Sequence, residues 1–209
     1  MPLALSPPTL QIDFAARLME ARATHLAEAL AQTIADLDIG SVDQELRTLV
    51  ERQDLAALAG QGIRGESVFA TPTLLRANPF LLGYYRLLLG YSQKEFYSSS
   101  TGLLRFRRCE TAGTLPRGTD ESVDELCRCL VGAATFLCRG VGYRQLTLPL
   151  LDSLTLLTLG PQLRGGANVR RGVDAIRQVM EVIEQIVRPY VVKSSQSSFQ
   201  LRNATDRLV

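Results

Sequence analysis

Between Thr9 and about Asp36, Leu10, Phe14, Leu18, Leu26, Leu30 and Ile34 follow three- and four-residue steps, with one larger gap. That period lines up apolar side chains along one face of a helix, so the front of the chain must fold as packed helix. Pro7 and Pro8 stand before the run and Gly40 follows it. Ser41-Val42-Asp43-Gln44 then reads as a capping box, in which a hydroxyl and an amide satisfy the free N–H groups of a first turn. A second helix is expected to reach Ala59, with Gly60 taking the left-handed position after its end. The two make an antiparallel helical hairpin over 9–59.

Further on, Thr71-Pro72 and Asn78-Pro79 each set a capping side chain before a proline suited to a first helical position. Short Pro-capped helices are therefore expected within 72–97. The one from 79 is apolar on nearly all sides, which places Tyr84 and Tyr85 in a core with their hydroxyls satisfied. Ser92-Gln93-Lys94-Glu95 forms another capping box. The serines, two glycines and Pro116 of 98–118 read as a loop or irregular strand. Thr119 caps a helix over 120–139, with Asp120, Glu121, Asp124 and Glu125 where the helix dipole favours anions. The leucine-rich stretch 146–160 is either a kinked buried helix or a strand then a helix. Gly160-Pro161 breaks it, a glycine- and arginine-rich loop follows, and a last helix runs over 173–188, ended by Pro189.

After Pro189 the character changes. Tyr190-Val191-Val192 and Ser197–Leu201 have strand-like content, and Asn203-Ala204-Thr205-Asp206 reads as a turn. A two-stranded ribbon is marginal alone. The expectation is therefore a helical domain over 1–188 and, over 189–209, a β-hairpin that opens a sheet continued in a longer chain. A complete chain with fraying ends is the competing reading.

The chain has 209 residues, is 46% hydrophobic and 21% charged, and has a net charge of +2. Disorder, collagen and a disulfide-stapled miniprotein are excluded on that composition. Four cysteines in this length point to a reducing interior, no apolar run is long enough to span a bilayer, and the start lacks a basic leader; a cytoplasmic protein is expected. Arginine outnumbers lysine 21 to two, the lysines being Lys94 and Lys193. Residues 1–104 carry a net charge of −3 and residues 105–209 a net charge of +5. The basic half suggests an anionic partner, although a GC-rich genome gives the same arginine bias.

Chemistry-bearing patterns are sparse. Cys109, Cys127, Cys129 and Cys138 lack paired metal-ligand spacing, and a helix turns Cys127 and Cys129 about 200° apart, so all four read as buried structural thiols. The single histidine, His25, lies on a helix, and no serine or cysteine has a nucleophile-elbow setting. Gly160–Gly166 lacks a Walker lysine, so nucleotide binding has no support. A nuclease centre of Glu-x-Lys type is absent too: Ser92 stands two before Lys94 and Val191 two before Lys193. Two basic clusters remain, Arg105-Phe106-Arg107-Arg108 and the stretch holding Arg164, Arg170 and Arg171. The second leads into a helix start, where glycines, free amides and guanidinium groups suit a nucleic-acid backbone. A solvated loop is the alternative.

The stretch Ala77-Asn-Pro-Phe-Leu-Leu-Gly-Tyr-Tyr-Arg-Leu-Leu-Leu-Gly-Tyr-Ser-Gln-Lys-Glu-Phe-Tyr97 resembles type II restriction endonucleases of the XcyI family. So does Gly62-Ile-Arg-Gly-Glu-Ser-Val-Phe69, and the tail Phe199–Val209 is similar to the lead-in to that family's catalytic core. The resemblance implies a Mg²⁺-dependent enzyme that cuts a short GC-rich palindrome in double-stranded DNA as a homodimer. Its Glu-x-Lys residues would lie after position 209, so this chain would hold the DNA-binding scaffold and lack activity by itself. Glu66 and Glu95 are the acidic candidates on the helical side of the site, with a helix-start acid and a capping-box acid as the structural alternatives. The implied fold is mainly α, with the terminal hairpin opening an α/β restriction-endonuclease-like sheet. A non-catalytic helical interaction or regulatory module is the rival reading.

Overall fold

The computed structural model describes residues 8–116, 120–194 and 199–201. The chain divides into two compact units, Met1–Gln162 and Leu163–Val209. The first is built from α1 (Thr9–His25), α2 (Ala27–Ala35), α3 (Ile39–Leu49), α4 (Arg52–Ala59), α5 (Pro72–Ala77), α6 (Leu81–Leu88), α7 (Gln93–Phe96), α8 (Arg107–Ala112) and α9 (Asp120–Val141). It also holds the start of α10 (Leu148–Val187).

The hairpin expected over 9–59 is four helices. Leu26 adopts extended backbone between α1 and α2 and is fully buried at that corner. Val50 is likewise extended, separating α3 from α4. The cap of α3 is Asp38, whose carboxylate accepts from the Gly40 and Ser41 amides, both at 3.2 Å. Ser41 is thereby drawn inside the helix, its hydroxyl donating to the same carboxylate at 2.8 Å. A carboxylate competes better than a hydroxyl for amides at the positive end of a helix. Nor is Gly60 left-handed; its φ is −63°, and the positive φ falls on Gly62.

The starts at Thr71-Pro72 and Ser92 behave as their chemistry dictates, whereas the helix expected from Pro79 begins at Leu81 with no side-chain cap, the Asn78 Oδ1 accepting from the Phe80 amide at 3.2 Å before it. Thr71 Oγ1 accepts from the Leu74 amide ahead of Pro72, and Ser92 and Glu95 close a reciprocal capping box on α7. All eight residues of α6 are buried. The hydroxyls of Tyr84 and Tyr85 donate to the carbonyls of Ser67 and Glu66 at 2.7 and 2.9 Å. Around α6 lies the core, which includes Phe69, Leu74, Leu75, Phe106, Leu126, Leu130 and Leu146. The expected loop over 98–118 is instead two 3₁₀ turns, Ser99–Thr101 and Leu103–Phe106, followed by α8.

The second unit holds the rest of α10, a 3₁₀ turn at Arg188–Tyr190, β1 (Val191–Ser194) and β2 (Phe199–Leu201). The break expected at Gly160-Pro161 does not occur, because α10 runs through it for 40 residues. The arginine-rich stretch 163–172 is therefore helix interior, and the free amides expected there are used in the helix. The fold-class expectation is also corrected. The described chain is helical almost throughout, and its strand content is one antiparallel pairing of four residues with three, with an irregularity between Val191 and Lys193. No α/β sheet exists among the described residues. Thr119, the Asn203–Asp206 turn and the final residues lie outside them.

Candidate functional site

Arg86 interrupts an apolar run, and a buried charge must find a partner or lose its charge. It is 1% exposed, the largest fully buried side chain described. Its Nε donates to Glu110 Oε2 at 2.8 Å and its Nη2 to Glu110 Oε1 at 2.6 Å, a bidentate pair from α6 to α8. Gln93 Nε2 and Tyr97 Oη each donate to the same carboxylate at 2.9 Å, while Arg86 also donates to the Tyr91 carbonyl and to Gln162 Oε1. Burial pushes the Glu110 carboxyl up, but hydrogen bonds from Arg86, Gln93 and Tyr97 with the Arg86 charge outweigh it and hold the group below its ordinary range. His25 lies beside this cluster, and desolvation lowers its pKa against the opposing pull of Glu110. Gly83 lets these pieces meet: a Cβ there would sit 3.1 Å from Glu110 Cγ and 3.2 Å from His25 Cδ2. The sequence signal was present, an arginine inside an all-apolar helix, but nothing in the sequence singles out Glu110.

A second carboxylate group ties α4 to α9. Asp54 is 3% exposed and accepts from Arg139 Nη2 at 2.8 Å, while Arg139 also reaches Glu51 at 2.9 Å. Both clusters are closed ion-pair networks rather than open reactive groups.

Glu66 is 1% exposed in the turn before α5; one oxygen accepts from Arg64 Nε and the other has no partner among the described residues. It borders a cavity of about 630 Å³ lined by Leu30, Ile34, Arg64, Tyr84, Leu151 and Asp152, among others. Glu95 is exposed and accepts from the Ser92 amide at 2.9 Å; the Ser92 hydrogen bonds lower its pKa. No group of three or more His, Cys, Asp or Glu side chains that could hold a metal ion exists among the described residues. The described residues thus do not fit a magnesium centre. The thiols divide: Cys109, Cys127 and Cys138 are buried, whereas Cys129 is exposed, contrary to the expectation that all four are buried.

The arginine candidates are placed as follows. Arg105 is exposed, 4.9 Å over the Phe106 ring, and pairs with Glu125 at 3.1 Å. Arg107 and Arg108 open α8 and are exposed, with no acidic partner among the described residues. Arg164 is exposed on α10 and Arg170 is half-buried there; the Arg171 side chain lies outside the description. No helix among the described residues is long and apolar enough to cross a membrane.

The profile of the XcyI restriction endonuclease family matches residues 15–209. The type II restriction enzyme Cfr9I of Citrobacter freundii is 45% identical over 204 residues, covering 97% of this chain and 62% of its own length. The type II restriction enzyme XcyI of Xanthomonas campestris pv. cyanopsidis is 46% identical over 205 residues, with the same coverage of 97% and 62%. The chain thus spans somewhat under two thirds of these relatives. No solved structure matches it. On the profile match and these two likenesses, the chain belongs to the XcyI restriction endonuclease family.

Proposed function

We propose that this chain forms the helical, DNA-engaging part of a cytoplasmic type II restriction endonuclease, which cleaves double-stranded DNA at a specific site with Mg²⁺ and acts as a homodimer. The observation that carries DNA engagement is the pair Arg107 and Arg108, two exposed guanidinium groups at the head of α8 with no carboxylate to neutralise them among the described residues. Arginine forks match phosphate oxygens bidentately, and released counterions make such contacts strongly salt-dependent. Arg164 adds a further exposed cation. Arg105 is a weaker candidate because Glu125 competes for it. Glu66 and Glu95 are the acidic candidates on the helical side of the site; Arg64 pairs with one oxygen of the first, and the second closes a helix cap.

The test is duplex binding by fluorescence anisotropy between about 50 and 200 mM salt. Steep loss of affinity is expected. Replacing both Arg107 and Arg108 with Ala should reduce the slope of log K against log salt by roughly two, one for each phosphate contact removed. Absence of duplex binding at about 50 mM salt overturns the reading.

A further inference from the structure

From Val169 to Tyr190 the second unit carries a run of large apolar side chains open to solvent. Ile176 is 62% exposed, Val179 57%, Ile186 70% and Tyr190 62%. The opposite side of the same helix is mainly polar, with Asp174, Gln178, Glu181 and Gln185 all exposed and Val182 the exposed apolar residue among them. A continuous apolar face of this kind marks an interaction surface. Its spacing is that of a helix seam up to the end of α10: 169, 173, 176, 180, 183 and 187 alternate steps of four and three residues.

We propose that this face closes against the same face of a second copy of this chain, the two helices running antiparallel. The proposal rests on the homodimer part of the reading above and names its interface. The charges beside the seam decide the partner and the direction. One border of the seam carries Arg170, Arg177 and Glu184 at heptad spacing, and the other carries Gly172, Val179 and Ile186. Parallel pairing sets one helix's charged border against the other's apolar border, which desolvates Arg177 and Glu184 without a counter-charge. Antiparallel pairing sets like border against like. In the register where Met180 packs on Ile183 of the other copy, Ile176 meets Val187, each twice by symmetry. Arg177 of each copy then faces Glu184 of the other, and Val179 faces Ile186. A two-fold axis makes both pairings reciprocal, as a closed dimer requires. Arg177 is available for this, because its own-chain pair with Asp174 is 3.7 Å long and exposed.

Sedimentation velocity on the full chain, without DNA or metal, is the test. A dimer is expected at micromolar concentration. Arg177→Glu and Glu184→Arg should each weaken it about tenfold, because each creates two like-charged pairs, and the double exchange should restore it. Both substitutions lie on an exposed border, and circular dichroism verifies that each of the three variants is folded. Independently, Val179→Cys with Ile186→Cys in a Cys129→Ser background should form an intermolecular disulfide on oxidation. A monomer at tens of micromolar, or a dimer whose strength ignores the charge exchange and which forms no such crosslink, overturns the proposal. Since neither readout involves DNA, failure here leaves the DNA-binding test standing, and failure there leaves this one standing.

Discussion

Arg86 and Glu110 illustrate how much one buried pair constrains. Removing one partner leaves an uncompensated charge in the core, so Arg86→Met and Glu110→Gln should each cost about 3–5 kcal/mol, read as a shift of the urea midpoint. Replacing both by apolar residues of similar volume should cost much less than the two single changes together, which a double-mutant cycle reports. The same site sets an acid limb. His25 has a lowered pKa in the fold, so the unfolded chain takes up its proton first and stability begins to fall below about pH 6.5. The Glu110 carboxyl is also held low; its contribution is present above the unfolded value near 4.3 and is lost as pH falls through the folded one. Urea titrations from pH 7 to pH 3 should therefore show two successive losses, the first absent in His25→Gln. Burial pushes the Cys109 and Cys138 thiols up to about 11, and it raises Cys127 as well. With Cys129 exposed, Ellman's reagent should titrate one thiol rapidly in the native protein and four in denaturant.

Elements were legible where local chemistry is decisive. The Ser92 capping box, the Thr71-Pro72 start and the burial of α6 follow from donors, acceptors and apolar content within a few residues. The breaks at Leu26 and Val50 were not legible, because no glycine or proline stands there; tertiary packing set them. In α10 the error runs the other way. Gly160, Pro161, Gly165, Gly166 and Gly172 argue for a loop, yet the helix continues. A Cβ at Gly165 or Gly172 would meet nothing within 4 Å. Replacing both with Ala should accordingly stabilise α10 by about 0.5–1 kcal/mol each, seen as a higher midpoint in thermal circular dichroism. A fall in stability would mean that these glycines serve a role other than the helix.

For the whole molecule, the family was legible from short motifs, whereas the site was not. The resemblance rests on the stretch around α6, the Gly62–Phe69 turn and the tail from Phe199, and the first two hold core residues such as Phe69, Leu81, Tyr84 and Tyr85. Such positions carry the fold's identity without carrying its chemistry, so Glu66 and Glu95 stood out only as acids in matching motifs. Glu110, which organises the interior, is not legible locally, since its partner lies 24 positions earlier and no local pattern links them. The fold class failed for a related reason: strand propensity near the terminus was extended to a sheet, but three residue pairs do not make a layer.

Pro161 has one more consequence. It has no N–H, so the Leu157 carbonyl, one turn earlier, loses its rung in the ladder, and the ring crowds the same place. Helices ordinarily fray from their tips, whereas α10 carries its weakest rung near the middle. Deuterium uptake followed by mass spectrometry should reveal an internal bubble in peptides around residues 157–164, and Pro161→Ala should close it.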